Sequence, residues 1–109
     1  MKYKQIPNTN YEVNPQGEVR HTVKRNVMKV QWKRGYPYVR IWNKVCKKKK
    51  NYYLHRIVCE LFIPKPQTGV YEVGHRVPDR HNYAVTNLEW TTRYDNMQEM
   101  HSRLRLRHT

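Results

Sequence analysis

The chain has 109 residues, with 22 Lys and Arg against 8 Asp and Glu, which leaves a formal net charge of +14. Its 38% hydrophobic and 12% aromatic residues can form a modest packed core, which excludes a disordered basic tail and a collagen-like repeat. The length predicts one domain over residues 1–109, and the charge predicts a polyanionic partner.

The apolar segments are short. No run approaches the roughly 18 residues of a membrane span, and the N-terminus lacks the apolar stretch of a signal peptide. We therefore expect a soluble, cytoplasmic protein without a membrane partner. Cys46 and Cys59 do not have the spacing of a disulfide framework or a four-thiolate zinc site, so both are expected to be buried or idle thiols.

The first predicted element is a hairpin. Tyr11–Val13 and Glu18–His21 have strand character, and Asn14–Gly17 has the turn residues that reverse the chain. Two further strands are predicted at Met28–Trp32 and Tyr36–Trp42. The second alternates apolar residues with basic and aromatic ones, so one of its faces is expected to be apolar and the other basic.

The positive charge is concentrated between Arg20 and Arg56, a stretch with thirteen Lys or Arg and no acid. Tyr and Trp residues interleave with these cations, which favours a nucleic-acid surface over a merely solvated face. Lys47–Lys50 is predicted to be an exposed loop, because four consecutive charges do not suit a strand interior. This composition would also fit an RNA-binding or ribosome-associated protein, so it does not by itself distinguish RNA from DNA as the partner.

After the lysines, apolar residues recur at helical spacing over Leu54–Phe62, and prolines follow. His55 and Arg56 lie off this apolar stripe, so His55 is expected to be a structural hydrogen-bonding residue. The remaining elements are predicted as a strand at Val70–Val77, a polar loop, a strand at Asn87–Trp90, and a helix at Arg93–Leu104.

Three residues of this last unit could carry chemistry. His75 ends the first strand, Asn87 begins the second, and Asn96 lies in the helix. A neutral imidazole can take a proton from water near pH 7, which suits His75 to general-base catalysis. Each residue taken alone would more often have a structural explanation.

In order along the chain, these residues and their neighbours resemble the HNH nucleases, specifically the phage and intron-associated homing-type branch. The matching segments are Tyr11–Val13, Gly17–Val19, His55–Val58, Phe62–Pro64, His75, Asn87–Trp90 and Asn96.

The resemblance implies an α+β fold, with an N-terminal antiparallel sheet and a helix followed by a compact ββα-metal unit. Residues 1–53 would form the basic DNA-binding part, and residues 54–109 the helix and the nuclease unit. It also implies an endonuclease that nicks or cleaves double-stranded DNA with one divalent cation, Mg²⁺ or Mn²⁺, and no small-molecule cofactor. The sequence leaves the oligomeric state open.

The resemblance assigns roles to individual residues. His75 and Asn87 would be catalytic, with Asn87 tying the loop and orienting the histidine, and Asn96 and His75 would contact the metal. The basic residues expected to bind DNA are Arg25, Lys29, Lys33, Arg34, Arg40, Lys47, Lys48, Lys49, Lys50 and Arg76.

One position departs from the family pattern. The residue before the family's histidine is normally an Asp or Asn that ligates the metal, and here it is Gly74. Another group would have to complete the coordination, or the metal would bind weakly, or the protein would be a catalytically degenerate DNA-binding protein. We expect weakened metal dependence with retained or reduced nicking.

Overall fold

The structure is a computed structural model that describes residues 2–67 and 69–92. These residues form three antiparallel sheets and one α-helix, an α+β arrangement. The helix predicted at Arg93–Leu104, and Asn96 within it, lie outside the described residues. Within the described part of the chain, no helix has the length and apolar character to span a membrane.

The first sheet is built on the N-terminal hairpin. Its strands lie in the order β1, β2, β3, and its turn is closed by Asn14, whose Oδ1 accepts hydrogen bonds from the backbone N–H groups of Gln16 and Glu18. The strands are β1 (Lys4–Gln5), β2 (Tyr11–Val13) and β3 (Val19–His21).

The second sheet is the basic one. Its central strand alternates as the sequence predicts, because Val39 and Ile41 are buried whereas Arg40 and Trp42 are exposed. The strands are β4 (Gln31–Lys33), β5 (Tyr36–Asn43) and β6 (Lys48–Tyr53), with β5 in the middle.

The prediction of a loop over Lys47–Lys50 is wrong for three of its four residues. Lys47 lies in the turn with φ of 53°, but Lys48, Lys49 and Lys50 are the first half of β6. Their backbones pair with Asn43, Trp42 and Ile41, while their side chains remain exposed. An edge strand with solvent beside it accommodates consecutive lysines, because only the backbone enters the sheet.

Helix α1 (Leu54–Phe62) agrees residue for residue with its predicted bounds. Ile63 is extended before Pro64, as expected for a residue that precedes proline, and the helix ends there. The buried side of α1 packs with residues of all three sheets to form one core. This core contains Ile6, Val13, Val19, Val39, Ile41, Leu54, Ile57, Val58, Cys59 and Leu88.

The last described unit is a two-stranded sheet of β7 (Glu72–His75) and β8 (Leu88–Thr91), both shorter or shifted relative to the predicted strands. A 3₁₀ turn over Val85–Asn87 leads into β8. The Trp90 Nε1–H donates to the carbonyl of Ile63 at 2.9 Å, and this bond joins β8 to the end of α1.

The N-terminal hairpin also contacts this unit. The backbone N–H of Val85 donates to the carbonyl of Pro15 at 2.8 Å. The turn of the first sheet therefore supports the segment that leads to Asn87.

Candidate active-site cleft

A cleft of about 1090 Å³ lies between the β4–β5 turn, the start of α1, and β7 with the loop that follows it. Its basic lining residues are Lys33, Arg34, Arg56 and Arg80, and its acidic ones are Glu72 and Asp79. His55, His75 and His81 also line it. The cleft thus combines imidazole groups with an excess of positive charge.

His75 is the last residue of β7, paired with Leu88 of β8, and is half-buried. This position holds its backbone in a sheet and presents its ring at the cleft. The sequence predicts both the strand end and the chemistry of this residue.

Asn87 organises the loop after His75. Its Oδ1 accepts from the Val77 N–H at 2.8 Å, and its Nδ2 donates to the carbonyls of Val77 and Asn82 at 3.2 and 2.9 Å. Its own carbonyl accepts from the Arg76 N–H at 2.8 Å. The side chain is 4% exposed, so a buried amide ties both ends of the loop at once.

The tip of the loop is attached to the basic sheet. His81 stacks on Trp32 with ring centroids 4.4 Å apart. The Arg80 guanidinium lies 4.4 Å from the centre of the Tyr36 ring and donates to the carbonyl of Arg34 at 3.3 Å. These contacts close one side of the cleft and place Arg80 beside the β4–β5 turn.

His55 is the residue that the sequence interpretation missed. It was expected to lie off the apolar stripe, but it is 9% exposed and its ring centroid lies 5.6 Å from that of His75. Tyr36 and Tyr53 pack around it, with ring centroids at 5.0 and 6.0 Å. The helical periodicity gave no sign of this, because His55 is covered by the sheet and by β7 rather than by the apolar core.

The environment of His55 keeps it neutral. Burial, reinforced by the positive potential of His75, Arg56 and Arg80, lowers the pKa of His55 from 6.5 to about 4. Its Nδ1 is buried and has no hydrogen-bond partner among the described residues. A buried ring nitrogen without a partner is a feature to expect at a ligand site.

The predicted DNA-binding residues are divided between surfaces. Lys33 and Arg34 line the cleft. Arg40 and Lys49 are exposed on the second sheet, where the Arg40 guanidinium donates to Asn51 at 3.1 Å. Arg76 instead lies 3.8 Å from Glu89 and lines a smaller cavity with Trp90. The structure therefore brings only part of the predicted set to the cleft.

The remaining members of that set are exposed. Arg25 lies in the β3–β4 connection with φ of 58°, and Lys29 lies in the same connection. Arg56 and Arg80 line the cleft although the sequence interpretation did not assign them to DNA. The His-Arg pair at the start of the helix was the available signal for Arg56, whereas Arg80 had none.

The described side chains do not form an oxygen cage for Mg²⁺. Position 74 is a glycine within β7, and no three His, Cys, Asp or Glu residues of the described ranges are grouped as a metal site. Asn96, the other predicted ligand, is outside those ranges. Two imidazole side chains, those of His55 and His75, lie side by side in the described part of the cleft and are of a type that can ligate transition-metal ions.

No family model matches the sequence. An uncharacterized HNH endonuclease of Acanthamoeba polyphaga mimivirus is 30% identical over 82 residues, which are 75% of this chain and 24% of that protein. A solved structure of DNA binding and cleavage by the HNH homing endonuclease I-HmuI matches with a TM-score of 0.81 and 27% identity. That match covers 94% of this chain and 59% of the other.

Together with the order of its motifs and the shared fold, these two similarities support an HNH family for this chain. The chain spans about a quarter of the viral relative, at 24% of its length, and 59% of the solved structure.

Proposed function

We propose that this chain is a DNA endonuclease domain that nicks or cleaves double-stranded DNA by hydrolysis of a phosphodiester, with a divalent cation as cofactor. The observation that carries the proposal is the cleft, which His75 lines together with four Lys or Arg side chains in a fold shared with an HNH homing endonuclease.

DNA would bind along the second sheet and into the cleft. The exposed face of that sheet carries Arg40, Trp42 and Lys49. Tyr36 belongs to the same central strand and lines the cleft, so the sheet and the cleft are adjoining surfaces. Contacts to phosphate supply affinity that falls steeply with salt, and a β-sheet face can also approach base edges.

In the proposed hydrolysis, His75 accepts the proton of the attacking water. Asn87 acts as a positioning residue, since its bonds to Val77 and Asn82 hold the loop that begins directly after His75. Arg80 and Arg56 place positive charge beside the phosphate, where negative charge accumulates during attack. A bound divalent cation would supply Lewis-acid polarisation of the phosphate.

A second candidate function is a catalytically degenerate DNA-binding protein. It is favoured by Gly74, which removes the carboxylate or amide that the family normally has there. The same sheet and the same cations would hold DNA in this case, so binding alone does not separate the two functions.

The experiment that separates them is a supercoiled-plasmid nicking assay at increasing Mg²⁺ and Mn²⁺, with His75→Ala as the matched control. We expect slow nicking by the wild-type chain and none above background by His75→Ala. Intact plasmid with both proteins, alongside retained DNA binding, would support the degenerate function.

Gly74→Asp provides a gain-of-function test of the same proposal. Gly74 lies in an extended strand, a backbone conformation open to any residue, so Asp can restore the family's side chain there. We expect this variant to nick at lower Mg²⁺ than the wild type, and Gly74→Ala to behave as the wild type does. An equal gain in Gly74→Ala would mean that the restored carboxylate is not the cause.

A further inference from the structure

The cleft contains a second histidine, His55, that the proposed hydrolysis does not use. His55 and His75 come from different elements, α1 and β7, and their ring centroids are 5.6 Å apart. Hydrolysis needs one imidazole as a base, whereas the fold supplies a second one beside it.

The spacing of the two rings suits a shared metal ion. With metal–nitrogen bonds of about 2.0–2.1 Å, two imidazoles on a tetrahedral ion have ring centres roughly 5 Å apart. The observed separation of 5.6 Å is close to this value.

His55 is also held ready for a ligand. It is 9% exposed, and its Nδ1 has no hydrogen-bond partner within the described part of the chain. The Tyr36 and Tyr53 rings pack against its ring, with centroids at 5.0 and 6.0 Å. A polar atom buried in this way is stabilised when it gains a ligand.

From this geometry we propose that His55 and His75 form a two-imidazole site for a divalent transition metal such as Zn²⁺ or Co²⁺. Imidazole favours these ions, whereas Mg²⁺ requires oxygen ligands. Water would fill the remaining coordination positions. The carboxylates of Glu72 and Asp79, which line the same cleft, offset part of the positive charge that would otherwise repel the ion.

The site has a functional consequence that rests on the proposed nuclease activity. A ring nitrogen bound to a metal cannot accept a proton, so Zn²⁺ on His75 would inhibit hydrolysis that uses the same nitrogen as a base. The binding itself requires no DNA and no cleavage.

The primary test is isothermal titration of the untagged full chain with ZnCl₂. We expect one Zn²⁺ bound by the wild type, and an affinity lowered in His55→Phe by at least the roughly 10- to 100-fold that loss of an outer-shell partner costs. His81→Phe is the matched control, because His81 lines the same cleft and phenylalanine preserves its stacking on Trp32. Unchanged affinity in His55→Phe, or loss in His81→Phe alone, would overturn the proposal.

A second test uses the wild type alone and so does not depend on the folding of a variant. In ¹⁵N spectra of the imidazole rings, Zn²⁺ should shift nitrogens of His55 and His75 together, at one equivalent. Shifts confined to the other four histidines of the chain would contradict the site. A chain that nicks plasmid but gives this second result keeps the proposed function and loses the metal site.

Discussion

Asn87 shows how much of the cleft depends on a single buried side chain. Its three side-chain hydrogen bonds go to backbone groups of the loop. The sequence predicts that this amide bonds across the turn, but it does not identify the partners. Truncation would leave the Val77 N–H and two carbonyls without those partners.

We expect Asn87→Ala to lower the free energy of unfolding by about 2–3 kcal/mol, because unsatisfied buried groups cost more than the bonds contribute. Urea unfolding measures this value. Asn51→Ala removes only the exposed bond to Arg40 and should change stability by about 0.5 kcal/mol or less. Equal effects of the two substitutions would mean that the loop does not depend on Asn87.

His55 makes a separate, pH-dependent contribution. Its folded-state pKa of about 4 is below the ordinary value of 6.5, so the unfolded chain binds the proton more tightly. The stability that neutral His55 contributes is therefore fully present above pH 6.5 and is lost as the pH falls towards 4.

For the wild type we expect a loss of about 2 kcal/mol from this group between pH 7 and pH 4, less than the full shift converts to because part of the ring faces the cleft. His55→Phe should lack this component while keeping the ring packing. The difference between the two urea-unfolding profiles against pH measures it, and parallel profiles would contradict the assignment.

Among the elements, the N-terminal hairpin turn has the clearest steric requirement. Gly17 has φ of 84°, and a Cβ there would overlap the ring of Tyr83. The sequence predicts the turn from its residue types, but the contact with a residue of the distant loop is a property of the packed molecule.

Gly17→Ala should accordingly destabilise the chain by about 2 kcal/mol or more, from backbone strain and from displacement of Tyr83. Gln16→Ala, at an exposed position of the same turn, serves as the control and should have an effect near zero. Thermal unfolding compares them. If Gly17→Ala were as stable as Gln16→Ala, the hairpin would not pack on the loop as described.

On the scale of the described molecule, the basic face of the second sheet adjoins the cleft. The exposed side of the second sheet leads through Tyr36 to the cleft. This arrangement predicts that residues on the sheet contribute to DNA affinity although they lie outside the cleft.

Removing one phosphate contact should reduce the slope of log affinity against log salt by about 1. We expect this for Arg40→Ala and for Lys49→Ala on duplex DNA. Lys65→Ala removes an equal charge from a side chain that packs over Trp90 and should leave the slope closer to that of the wild type. The three slopes come from fluorescence anisotropy titrations over a range of salt concentrations. Equal slopes for all three variants would mean that DNA affinity depends on net charge and not on this face of the second sheet.

Local patterns were sufficient to predict the helix at Leu54–Phe62, the alternation of β5, and the order of His75 and Asn87 along the chain. The spacing of apolar residues and the turn residues act within a few positions, so they can be recognised in the sequence alone. The lysine run was misinterpreted because an exposed edge strand and an exposed loop place the same demand on side chains.

The proximity of His55 to His75 and of Arg80 to Tyr36 could not be read from those patterns. Each pair joins residues from separate elements, and its distance depends on how α1, β7 and the second sheet pack around the shared core. Composition and periodicity therefore predict the basic charge, the helix at Leu54–Phe62 and a strand that ends at His75. The packing of three elements determines that a second, buried histidine stands beside it.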